Sequence, residues 1–132
     1  MRTDANVADM AVPDAALDHW HTLLEQHARV TNALERALAA HGLGVSEFEV
    51  LDELARHPEL ECRMQALRDV VHLSQSALSR VVGRLEEQGL VTRFICQQDR
   101  RGIFAHLTDE GRARYEAALP SQREVLAENL GT

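Results

Sequence analysis

The chain contains no lysine. All 14 cationic side chains are arginine, set against 21 carboxylates, for a formal charge of −7. Arginine suits bidentate contacts, but a GC-rich genome produces the same bias, so the bias alone is assigned to gene composition. Cysteine is scarce too: Cys62 and Cys96 form neither a metal-type pair nor a disulfide framework. No apolar run approaches the length of a membrane span. The opening MRTDANVADMAVPD lacks the basic start and apolar centre of a secretion signal, so a cytoplasmic protein is expected. There is no glycine-rich phosphate loop, no HExxH and no nucleophile elbow, which argues against an enzyme. Of the seven histidines, none shares with a cysteine or an acid a compact spacing that suggests a preformed metal site. His19 and His21 stand two apart and do not face each other on a helix. Neither a metal site nor a cofactor is expected.

What is present is unevenly distributed. Between Cys62 and His106 lie seven arginines (63, 68, 80, 84, 93, 100, 101) and four acids (Asp69, Glu86, Glu87, Asp99), a balance of +3. The remainder holds seven arginines and seventeen acids, a balance of −10. Salt screens charge beyond about 8–10 Å, so this basic middle presents its own field to a partner despite the acidic frame.

A chain of 132 residues suffices for one domain with a real core. Residues 1–13 read as a flexible tail, and 14–132 as the domain. Leu17, Trp20, Leu24, His27, Thr31, Leu34, Leu38 and His41 recur every three or four residues, the seam of a long first helix over 14–41. Gly42 and Gly44 stop it. Ser46 and Glu49 have the spacing of a capping box for a second helix ending at His57-Pro58. A third helix, roughly 63–71, is expected to bury Met64, Leu67, Val70 and Val71. Ser74 suits the N-cap of a fourth helix over 75–88, and Gly89 closes it. Leu90–Cys96 and Ile103–Leu107 suit two strands of a hairpin whose polar tip is 97–102. Thr108 then caps a last helix over about 109–130, with Pro120 as an expected kink. The fold class is mainly α with a small β-hairpin: a winged helix-turn-helix over 46–107 between two long helices.

On a helical wheel Leu78, Val81, Val82 and Leu85 share the core face of the fourth helix. Ser76, Arg80, Gly83 and Glu87 lie opposite, flanked by Ser79 and Arg84. Hydroxyls and guanidiniums suit base edges and phosphates. For an isolated helix, a plain solvated face is the better reading. The short helix and turn before it and the hairpin after it reverse that preference. At the hairpin tip, Asp99-Arg100-Arg101-Gly102 carries two cations of the kind a narrow minor groove attracts.

The segments LSQSALSRVVGRLEEQGLV (73–91), Arg93, DRR (99–101), LTDEG (107–111) and GLGVSEFEVLDEL (42–54) together resemble the multiple-antibiotic-resistance regulator (MarR) family of winged-helix repressors. The likeness covers about residues 15–125. It implies a homodimer built by the first and last helices (14–41 and 109–130). It also implies a fourth helix in the major groove of a pseudo-palindromic DNA operator and a wing in the minor groove. On the matching positions, Ser74, Gln75, Ser76, Ser79, Arg80 and Arg84 fall on the recognition helix, and Arg100 and Arg101 on the wing. The chain departs from the family at Gly83, where an acid usually pairs with a wing arginine; either Asp99 or Glu87 takes its place or the wing is held less firmly. Family members also continue through a further helix after the last one named here, so the dimer contact is expected to rest on the first and fifth helices unless the chain is truncated.

The resemblance further implies release of DNA by a small aromatic or anionic effector, for which His19, Trp20, His41 and Phe48 are candidate lining residues. The plainer reading puts Trp20 and Phe48 in the core. A redox-responsive regulator working through Cys96 or Cys62 is a second reading, although nothing adjacent argues for a lowered thiol pKa. A winged-helix protein-docking module without specific DNA binding is a third; salt dependence of DNA affinity separates it from the first.

Overall fold

The structure, a computed structural model, describes residues 10–95 and 102–131. In chain order the elements are α1 (Asp14–Ala39), α2 (Val45–Arg56), β1 (Glu61–Arg63), α3 (Met64–Val71), α4 (Gln75–Glu87), β2 (Val91–Ile95), β3 (Ile103–Leu107) and α5 (Asp109–Leu130). None of its helices is long and apolar enough to cross a membrane.

The hydrophobic centre lies around α2, whose Phe48, Val50, Leu51 and Leu54 are fully buried. Leu67 of α3, the Leu78/Val82/Leu85 face of α4, and Ala105 and Leu107 of β3 close around it. Of the four residues expected to be buried on α3, Leu67 is fully so, Met64 and Val71 partly, and Val70 is 51% exposed. An eight-residue helix touches the core along a narrow stripe, and Val70 falls outside it.

The wing is a three-stranded sheet rather than a bare hairpin. Its order is β1-β3-β2, antiparallel throughout, with Cys62 opposite Ala105 and Arg93 opposite Ala105 from the other side. The extra strand is Glu-Cys-Arg, too short and too charged to show a period of two. It pins the wing to the start of α3 and covers one edge of β3.

The cap of α2 lies two residues earlier than Ser46 and Glu49 suggest. Gly44 is the N-cap, and Glu47 accepts its backbone N–H at 2.7 Å. Glu35 of α1 accepts the next one, from Val45, at 3.1 Å. The two remaining caps are as the sequence indicates. Ser74 Oγ accepts the Ala77 N–H at 3.1 Å, and Thr108 Oγ1 accepts the Gly111 N–H at 3.0 Å. Gly89 ends α4 at φ +76°, a conformation open to glycine, and lets the Leu90 N–H return to the Leu85 carbonyl at 2.9 Å. Pro120 lies inside an unbroken α5.

Helices α1 and α5 pack on each other. The expected seam of α1 is buried only in its second half, at Val30, Leu34 and Leu38. In the first half Leu17, Trp20, Leu23 and Leu24 are each 44–55% exposed.

Candidate nucleic-acid interface

Helix α4 meets a different neighbour on each flank, and this decides what its polar residues can do. The core face is held by Leu78, Val81, Val82 and Leu85. On one flank Arg84 approaches Glu47 of α2 at 3.7 Å, and Gln88 donates to the same carboxylate at 3.4 Å. On the other flank stand Ser79 and Glu86, both bonded to Arg93 of β2. The Arg93 guanidinium donates to Glu86 at 2.8 Å and to Ser79 Oγ at 3.3 Å. Between the flanks Ser76, Arg80 and Glu87 point outward and are exposed, with Gly83 among them. A Cβ built on Gly83 would meet nothing within 4 Å.

Arg80 is the one guanidinium on α4 with no hydrogen bond or ion pair among the described residues. An exposed arginine kept unpaired costs nothing in folding and is available for a bidentate partner. Ser74 is committed to its cap and is 3.4 Å from Ser76 Oγ. Gln75 and Ser76 sit exposed at the amino end of α4. Thus six predicted recognition residues share one helix, but Ser79 and Arg84 also hold its flanks. Arg100 and Arg101 lie outside the described residues, as do Asp99 and Cys96.

Among the described residues the acid that tethers the wing is Glu86, one turn beyond Gly83, and not Glu87, which faces outward; Asp99, the other expected substitute, lies outside the described residues. A signal for Glu86 existed, since it stands seven residues after Ser79 on the same flank. What the wheel does not tell is which flank the wing lies on.

The four candidate effector residues are not gathered in one chain. Phe48 is sealed in the core against Tyr115, with ring centroids 5.4 Å apart. Trp20 stands on the exposed half of α1, and His41 lies past its far end, about 30 Å away at 1.5 Å per residue. His41 Nε2 is 3.2 Å from Ser121 Oγ of α5, and its carbonyl accepts from Arg114 at 3.1 Å. Cys62 is buried, its thiol is 3.4 Å from the Arg63 carbonyl, and burial pushes its pKa up. A thiol held protonated in this way is a poor redox sensor. Among the described residues no cluster of three or more histidine, cysteine or acidic groups is placed to hold a metal.

A polar joint links the winged domain to α5. Asp52 of α2, only 7% exposed, accepts from Tyr115 Oη at 2.6 Å and from Arg56 at 2.8 Å, with Arg123 at 3.9 Å. Burial, then the bond to Asp52, pushes the Tyr115 hydroxyl up to about 12. Glu49, one turn earlier, is held above its ordinary carboxylate range by burial and then by Asp52.

Comparison with known proteins agrees with this geometry. The MarR family profile matches residues 41–102. AbsC of Streptomyces coelicolor, a MarR family transcriptional regulator, is 31% identical, superposes with a TM-score of 0.84, and is matched over 91% of this chain and 81% of its own. Sco3205 of the same organism, a MarR family regulator solved in complex with DNA, is 29% identical with a TM-score of 0.85, over 91% of this chain and 76% of its own. The HTH-type transcriptional repressor MdtR of Bacillus subtilis is 28% identical over 94 residues, which are 71% of this chain. The match spans 59% of the length of MdtR.

Proposed function

Because the chain belongs to the MarR family of DNA-binding transcription regulators, we propose that it acts as a homodimeric, sequence-specific repressor. In this reading α4 enters the major groove, and the turn at 97–102 enters the neighbouring minor groove. The observation that carries it is Arg80: exposed, central on the outward face of α4 and without an ion pair among the described residues, while Arg84 and Arg93 are tied to carboxylates. A guanidinium so placed matches guanine O6 and N7. The helix flanks are fixed by Glu47 and Glu86, which holds that face rigid against the domain.

The dimer is supported by the bare first half of α1. Leu17, Trp20 and Leu24 form an exposed apolar stripe that the second half of α1 and α5 leave uncovered. A second copy packing along this stripe removes it from water. The operator is then a pseudo-palindrome with half-site centres about 10 bp apart. Release by a small aromatic or anionic effector completes the repressor reading, as the family likeness implies.

Genomic fragments captured by the purified protein and then footprinted test operator, spacing and gene context together. Arg80→Ala is expected to weaken operator binding by about 1–3 kcal/mol and to relax base preference at one position per half-site. Arg101→Ala is expected to weaken all sequences alike. Tight binding indifferent to both changes refutes the reading.

A further inference from the structure

The proposed function places one element in a major groove and another in the adjoining minor groove. A single sugar-phosphate strand separates two such grooves. A protein that reads both must therefore straddle that strand, which crosses the gap between its two reading elements. In this chain the gap is a defined cleft of about 370 Å³. Gln75, Leu78 and Ser79 of α4 form one wall, and Arg93 and Ile103 of the wing form the other. The end of the cleft is built by α3 and the residue before it, through Arg63, Gln65 and Arg68.

We propose that this cleft is the seat of the straddled strand and that Arg68 is a phosphate-contacting residue outside both reading elements. The inference rests on the DNA-binding reading above and adds a subsite to it. Three arginines line the cleft, and they are not equivalent. Arg93 is engaged with Glu86 at 2.7 Å. Arg63 lies over the Phe104 ring at 5.2 Å. Among the described residues, the partner of Arg68 is its exposed neighbour Asp69, at 3.6 Å. That surface pair is weak and readily exchanged for a phosphate oxygen. The side chain is about one-third exposed and lines the cleft. Gln65 and Gln75 supply amide donors on the same rim, where a phosphodiester needs them.

The test is salt-dependent binding combined with ethylation interference on the footprinted operator. Arg68→Ala should weaken operator and scrambled duplex by the same factor and reduce the slope of log K against log salt by about 0.9 per lost contact. Arg68→Lys should restore the slope. Asp69→Asn, which frees the guanidinium, should move affinity the opposite way. One phosphate per half-site, lying between the major-groove and minor-groove contacts, should interfere when ethylated in the wild type and cease to do so in Arg68→Ala. An unchanged interference pattern and slope in Arg68→Ala, with wild-type binding intact, overturns the subsite alone; a cleft that instead takes a free small anion gives that result. Failure of the wild type to bind any DNA overturns the subsite and the underlying reading together. Thermal melting of each variant separates loss of contact from loss of fold, and the opposite sign of Asp69→Asn cannot arise from unfolding.

Discussion

Glu86 on α4 and Arg93 on β2 form a three-point clasp between the recognition helix and its wing. The carboxylate accepts from the guanidinium Nε at 2.8 Å, approaches Nη2 at 2.7 Å, and accepts the Arg93 backbone N–H at 3.3 Å. Both side chains are about one-third exposed. The pair therefore adds little to global stability but ties α4 to the wing, the two elements proposed above to read DNA.

Replacing Glu86 with alanine is expected to change unfolding free energy by no more than about 1 kcal/mol. The same change should loosen the wing, reducing operator affinity while the amide of Arg93 exchanges faster with solvent. Hydrogen exchange of β2 beside a binding titration checks both. Unchanged exchange at Arg93 would show that the clasp is not what holds the wing.

Gly83 separates folding from recognition. It lies in the interior of α4 with no atom waiting within 4 Å of a Cβ. Gly83→Ala is therefore expected to stabilise the free protein by up to ~1 kcal/mol. If the outward face of α4 meets DNA closely at this point, the same variant loses operator affinity. Melting temperature and affinity then move in opposite directions, a combination easily read in paired melts and titrations.

Gly111 carries the reverse expectation. A Cβ there would lie 2.0 Å from the Leu90 carbonyl oxygen. That backbone has little freedom to yield, because the Leu90 N–H is bonded to Leu85 at 2.9 Å and its carbonyl accepts from Thr108 at 3.1 Å. Gly111→Ala should destabilise by about 3 kcal/mol, at the upper end of overpacking effects. Chemical denaturation measures it; a near-neutral result would mean that the start of α5 can shift away from β2.

The joint between α2 and α5 has its own pH signature. Burial raises the Glu49 carboxyl above its ordinary value of 4.5, so the folded protein binds this proton more readily than the unfolded chain. Its contribution to stability is complete below about pH 4.5 and is lost as pH rises through the folded value. Asp52 adds to the effect, while Arg56 and Arg123 oppose it. Glu49→Gln should therefore melt higher than the wild type at neutral pH, with the gap closing as pH falls. A gap independent of pH would assign the effect to packing instead.

Local signals were read from the chain with little loss. Ser74 and Thr108 cap the helices their positions indicate, Gly89 ends α4, and Leu78, Val81, Val82 and Leu85 form the buried face. Each depends on residues within a few positions of one another, where periodicity and capping chemistry speak directly. The cap of α2 is not legible locally, because a Ser46-led frame and a Gly44-led frame compete there. The outcome depends on Glu47 reaching Gly44 and on Glu35, ten residues away, reaching Val45. The strand β1 has no local signal for a related reason: its three residues become a strand only when β3 offers an edge.

By itself the sequence determined the helices, their core faces, the family likeness and the set of polar residues on α4. Tertiary structure decided which of those residues are spoken for. It paired Arg84 with Glu47 and Arg93 with Glu86, left Arg80 without an ion pair among the described residues, sealed Phe48 inside, and opened the cleft that Arg68 rims. The division has a physical cause. Periodicity along one helix tells which face is apolar, but an ion pair or a cleft depends on which neighbour packs against each flank, and that is set by the whole core closing around α2.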